Sequence, residues 1–173
     1  GYAHLNRQNL IMAPEDLTLR ALARVLQAVG GLPYPPRRKH IERLHRRLLE
    51  NQSFNVTLGR CLLQVGANRI EIFRERRNLP ATVVYTPGGA LNWDGRFGVT
   101  FAKPPKDAGR RLRLRALSPV DCRDIAIECP EFQGFQAIPK SALWGLPALV
   151  DEHGIFSAPH VDYRRGAIGP AVG

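Results

Sequence analysis

The 173-residue chain carries 25 Lys and Arg against 15 Asp and Glu, a formal net charge of +10, and 44% of its residues are hydrophobic. This is apolar material for one ordinary domain or two small ones, and the charge points to nucleic acid or an anionic membrane surface as partner. No apolar run approaches the roughly twenty residues of a membrane span and no signal peptide opens the chain, so neither a spanning nor a secreted protein is expected. Cys61, Cys122 and Cys129 show no CxxC spacing, which suits small buried hydrophobes in a reduced, cytoplasmic protein. The chain opens at Gly1 on residues that read as mid-protein, and a fragment is expected.

Pro14, Glu15 and Asp16 make a helix start, with proline and acids in the first turn. Leu19, Leu22, Leu26 and Val29 then repeat on one face, and Gly30-Gly31 supplies the stop. A short proline-bearing connection, Leu32 to Pro35, leads to a second helix, predicted from Pro36 to Glu50 with Pro36 in its first turn. Ile41, Leu44 and Leu48 turn one face of it inward. Its remaining surface holds Arg37, Arg38, Lys39, Arg43, Arg46 and Arg47, with His40 and His45 among them and only Glu42 and Glu50 opposing. A neutral surface helix mixes its signs to gain pairs one turn apart; this one repels itself, which favours an anionic partner. The alternative is a solvated face whose acidic complement lies elsewhere in the fold.

Beyond it, Leu58, Cys61, Leu63 and Val65 lead through Gly66-Ala67-Asn68 to Ile70, Ile72 and Arg74, a predicted β-hairpin. From Asn78 to Gly109 the texture loosens around Pro80, Pro87, Gly88, Gly89, Pro104 and Pro105, with a second short hairpin turning at Asp94-Gly95 between Leu91–Trp93 and Phe97–Phe101. Leu112, Leu114 and Ala116 alternate with Arg111, Arg113 and Arg115, a half-buried strand whose other face is basic. Ser118-Pro119-x-Asp121 reads as the cap and first turn of a short helix ending before Pro130. A helical turn around Pro139–Trp144 follows, and DEHG makes a turn between Ala148–Val150 and Ile155–Ala158. The expected class is α+β: a mainly helical first domain, 1–79, closed by a hairpin; a linker with a short hairpin, 80–109; and a small α+β domain, 110–173.

Catalytic signatures are absent from this pattern. There is no GxxxxGK[ST] loop, HExxH or paired CxxC, and Gly88-Gly89 alone reads as a turn. His153 and His160 lie near Asp151, Glu152 and Asp162 without the spacing of a compact metal site, and surface turns account for them. Ser118 and Ser141 lack a nucleophile's context. No catalytic or metal-binding residue is assigned. The candidate binding residues are Arg37, Arg38, Lys39, Arg43, Arg46 and Arg47 on the helix and Arg111, Arg113 and Arg115 on the strand. Arginine suits planar, bidentate phosphate contact. With aromatics at 8% of residues, recognition of helix shape is expected over a stacking platform.

The stretch APEDLTLRALARVLQAVGGLPYPPRRKHIERLHRRLL, followed by TLGRCLLQVGANRIEIFRERR, resembles the region after the catalytic domain of bacterial tRNA(Ile)-lysidine synthases. IPKSALWGLPALVDEHGIFSAPHV is similar to their end, where an aliphatic-Pro-x-Leu-x-D/E-x-x-G pattern closes a small α+β domain. Residues Leu79 to Lys106 depart from that pattern. The resemblance implies an ATP-dependent ligase that adenylates a cytidine at the first anticodon position and joins lysine to it. Its ATP, with Mg2+, belongs to an N-terminal domain with an SGGxDS-type loop that this sequence lacks. This chain would then be inactive alone and carry no cofactor. Its expected partners are tRNA and the family's own N-terminal catalytic domain, with neither a membrane nor DNA, and pairing with a second copy stays open. A stand-alone basic RNA-binding module, or a protein-interaction or dimerisation domain whose charge serves solubility, are the other readings.

Overall fold

The computed structural model describes residues 1–50, 52–102, 111–136 and 138–166, and divides the chain into Gly1–Asn78 and Leu79–Gly173. The class is α+β, with antiparallel sheets throughout the described residues.

In the first unit, β1 (Tyr2–Asn6) and α1 (Arg7–Met12) precede α2 (Glu15–Gly30) and α3 (Arg38–Leu49); β2 (Phe54–Leu58), β3 (Cys61–Val65) and β4 (Arg69–Arg74) follow. The strands form one sheet in the order β1-β4-β3-β2. The first expectation therefore needs correcting. The hairpin β3–β4 is present, with Val65 opposite Ile70, but it sits at the centre of a four-stranded sheet rather than closing a helical domain. Leu58 belongs to a separate strand, because Gly59 and Arg60 at φ 59° and 60° make a two-residue turn that pairs Leu58 with Cys61. Positive φ at both central positions matches the twist of the flanking strands. Leu22, Leu26, Leu44 and Leu48 from the helices pack on Leu63, Ile70 and Ile72 of the sheet.

Both helices start one or two residues later than the proline pattern suggests: Pro14 caps α2 and Arg37 caps α3, leaving Pro36 outside it. Gly31 ends α2 in the left-handed region at φ 63°, where only glycine is free of a Cβ penalty. On α3 a second correction applies. His45 is buried with Ile41, Leu44 and Leu48, its Nδ1 3.8 Å from Glu15 Oε1, so it is part of the packed face and not of the charged one.

The second unit holds β5 (Val83–Val84), β6 (Ala90–Trp93), β7 (Phe97–Thr100), β8 (Arg113–Ala116), α4 (Pro119–Glu128), α5 (Lys140–Leu143), β9 (Pro147–Asp151), β10 (Gly154–Ala158) and β11 (Tyr163–Arg164). Its main sheet runs β11-β10-β9-β8-β5, and β6–β7 is a separate two-stranded hairpin. The hairpin turns at Asp94-Gly95, both at positive φ. The stretch expected as a linker is built into this unit as far as it is described. Val83 and Val84 pair with Leu114 and Arg113, and Trp93 and Phe101 share a core with Leu114. Residues 103–109 of that stretch lie outside the described residues. Leu114 and Leu149 face the hairpin, while Ala148 and Ile155 on the opposite face meet Ile125 of α4 and Leu143 of α5. Among the described residues no helix is long and apolar enough to cross a membrane.

Candidate nucleic-acid interface

Helix α3 is held by a residue that the sequence reading passed over. Arg7 is completely buried and its guanidinium donates to the carbonyls of Leu48 at 2.7 Å and of Gln52 and Gly66 at 3.0 Å each. Leu48 O is one of the last-turn carbonyls that a helix cannot satisfy internally. A cation there also opposes the negative end of the helix dipole. Arg7 thus fixes the end of α3 to the turn between β3 and β4. Its only sequence signal is an arginine within a short apolar-polar stretch, indistinguishable from a surface one.

With Ile41, Leu44, His45 and Leu48 inward, the α3 cations sort into three groups. Arg38 is one turn before Glu42 and donates to it at 2.7 Å; the hydrogen bond and the charge of Glu42 raise its pKa. Arg47 lies with its guanidinium 4.0 Å from the centre of the Phe54 ring on β2, a cation–π contact at the flank of the helix. Lys39, Arg43 and Arg46 point away from the buried face at i, i+4 and i+7, all exposed and without a hydrogen-bond or ion-pair partner among the described residues. Arg37 is exposed at the cap. At 1.5 Å of rise per residue the row spans about 10 Å. Arg47, next to Arg46 in sequence, stands outside this row because Phe54 draws it aside. Arg24 on α2 and Arg77 after β4 are further exposed cations.

The strand β8 is different. It begins only at Arg113, so Arg111 lies before it; both are exposed, with the Arg111 backbone N–H 3.4 Å from Glu152 Oε2. Arg115 instead shares a face with Ala148, the face that α4 covers, and binds Asp121 bidentately at 2.6 and 2.8 Å. Asp121 is also the third residue of α4 and closes a capping box with Ser118. Burial works to raise the Asp121 pKa, but the Arg115 guanidinium and the Ser118 hydroxyl and N–H outweigh it and hold the carboxyl below the ordinary range. The predicted basic face of this strand is therefore broken at Arg115 by a structural ion pair. Asp151 is engaged in the same manner: it accepts from the His153 N–H at 2.8 Å and pairs with Arg165, which leaves the DEHG segment a turn.

No protein-family model matches the sequence, and no solved structure matches it. Three curated proteins do, all described as tRNA(Ile)-lysidine synthase. The Rhizobium meliloti protein is 34% identical over 102 residues, 57% of this chain. Those of Wolbachia pipientis and Ruegeria pomeroyi are 24% and 30% identical over 95% and 88% of it.

The chain is similar to part of the tRNA(Ile)-lysidine synthases. It spans only 22%, 36% and 33% of the lengths of these three relatives, respectively. The likeness to the lysidine synthases of Wolbachia and Ruegeria extends over most of the chain.

Proposed function

We propose that this chain is the tRNA-holding part of a tRNA(Ile)-lysidine synthase, a cytoplasmic enzyme that uses ATP to join lysine to an anticodon cytidine. The observation that carries the reading is the row Lys39, Arg43 and Arg46: three exposed cations without a partner among the described residues, on a helix whose other face is locked by Leu44, Leu48 and Arg7. Phosphate contacts of this kind orient a folded RNA and supply much of the affinity without reading its sequence. Arg37 adds to the positive surface of the first unit, and Arg111 and Arg113 give the second unit exposed cations of its own. The residues of this chain bind and position; the ATP and lysine chemistry belongs to the remainder of the enzyme.

Filter binding of isoleucine tRNA to the chain, at about 50 mM and about 200 mM salt, tests this directly. Three phosphates neutralised by the row give a slope of log affinity against log salt of roughly −2 to −3, at about 0.7 to 0.9 per phosphate. Absence of binding at the lower salt, or binding indifferent to salt, contradicts the proposal.

A further inference from the structure

Four of the nine aromatic residues of the second unit, Tyr85, Phe97, Phe101 and Phe156, border one cleft. A cleft of about 650 Å³ opens between β7 and the strands β8, β9 and β10, a size typical of small-ligand sites, which run about 300–1,000 Å³. Two ring pairs line it: Phe97 with His160, centroids 4.8 Å apart, and Tyr85 with Phe101 at 4.6 Å. Leu114 and Leu149 supply an apolar floor. On the wall formed by Phe156, the exposed Arg164 brings its guanidinium to 5.6 Å from the ring centre. The fourth element is backbone. All of Phe97–Phe101 borders the cleft, yet β7 pairs with β6 on one side and with no other strand among the described residues. A strand edge of that kind presents alternating N–H donors and C=O acceptors, the complement of the polar rim of a heterocyclic base.

Flat rings, an apolar floor, hydrogen-bonding groups along one edge and a cation at the wall together match a planar heterocycle attached to a phosphate. We infer that this cleft receives an unpaired base of an RNA strand, stacked on Phe97, with an adjoining phosphate met by Arg164. The inference rests on the reading that the chain binds RNA. It adds a second, chemically distinct contact to the phosphate row of α3. Where α3 meets backbone charge alone, the cleft requires a base free of its helix. Stacking on an aromatic side chain tolerates any base, so the cleft selects an unpaired nucleotide over a paired one rather than one sequence over another.

The test uses the full chain and two RNAs: a blunt hairpin, and the same hairpin with a short single-stranded tail carrying 2-aminopurine, whose fluorescence falls on stacking. The tailed RNA is expected to bind roughly 5- to 150-fold tighter than the blunt one, the worth of one stacked base, with quenching of the tail. Phe97→Leu keeps the apolar contact and removes the ring; Arg164→Gln removes a surface charge. Each is expected to erase most of the preference for the tail while leaving blunt-hairpin binding unchanged. Changing Lys39, Arg43 and Arg46 to alanine should weaken both RNAs and preserve the preference. Equal affinity for the two RNAs with an unquenched tail overturns the inference, while loss of blunt-hairpin binding in the α3 variant still upholds the proposed function. No binding of either RNA overturns both. Displacement of the tail by free adenosine or cytidine monophosphate, at concentrations matching the RNA itself, overturns the assignment to a strand.

Discussion

Helix α3 and strand β8 both carry arginine at high density, and their charges are used differently. On α3 the packed face takes Ile41, Leu44, His45 and Leu48, and the helical period sends Lys39, Arg43 and Arg46 to the far side, where none of them forms an ion pair among the described residues. On β8 the period is two, and the face opposite Leu114 is covered in its second half by α4. Arg115 lands there and is captured by Asp121, while Arg113, two residues earlier, stays exposed. A run of cations is thus left available to a partner only where the opposite side of its element, and nothing else, is packed.

The largest effect expected from breaking this comparison comes from the packed side. Leu44→Ala removes a buried side chain of the core that holds α3 and should destabilise the first unit by about 2 to 5 kcal/mol in urea unfolding. A loss well under about 1 kcal/mol would mean that α3 is not anchored as described.

The next effect separates the two kinds of arginine on β8. Asp121→Asn strips the bidentate partner from Arg115 and weakens the α4 cap, with an expected cost of roughly 2 to 3 kcal/mol. Arg113→Ala, on an exposed side chain, should stay within about 0.5 kcal/mol. The carboxyl of Asp121 has its pKa lowered in the fold. Its stabilisation is therefore present above the unfolded value of about 4 and is lost as pH falls through the folded value. The stability difference between the wild-type chain and Asp121→Asn should shrink in acid, and a difference that grows below pH ~4 contradicts the ion pair.

Much of this was legible in the residues. The apolar periods of Leu19–Val29 and Ile41–Leu48, the turn at Asp94-Gly95 and the Ser118-Pro119-x-Asp121 cap are local signals, and the elements they announce are present. What was not legible depends on distant partners. Strand β1 is a polar-apolar stretch of five residues that becomes a strand only because Ala3 and Leu5 find Ile72 and Ile70 of β4 across more than sixty residues. Gly59-Arg60 could be read as strand or turn until Cys61 pairs back on Leu58. Arg7 and Arg115 look like surface cations in sequence. Only the carbonyls of Leu48, Gln52 and Gly66, and the carboxylate of Asp121, reveal them as structural. The candidate site was legible as a charged helix, but its division into paired, stacked and outward cations was not, since Phe54 is a contact from another element.

The central claim, that the outward row of α3 meets RNA phosphates, is tested most directly by a tRNA titration across salt with Lys39, Arg43 and Arg46 all changed to alanine. The fold should be little altered, because surface substitutions each shift stability by no more than about 0.5 kcal/mol. The account predicts weaker binding to isoleucine tRNA and to unrelated tRNAs alike, with the slope of log affinity against log salt flattened by roughly 2 to 3 units. An unchanged affinity and slope in the folded variant would contradict it and return α3 to an ordinary solvated helix.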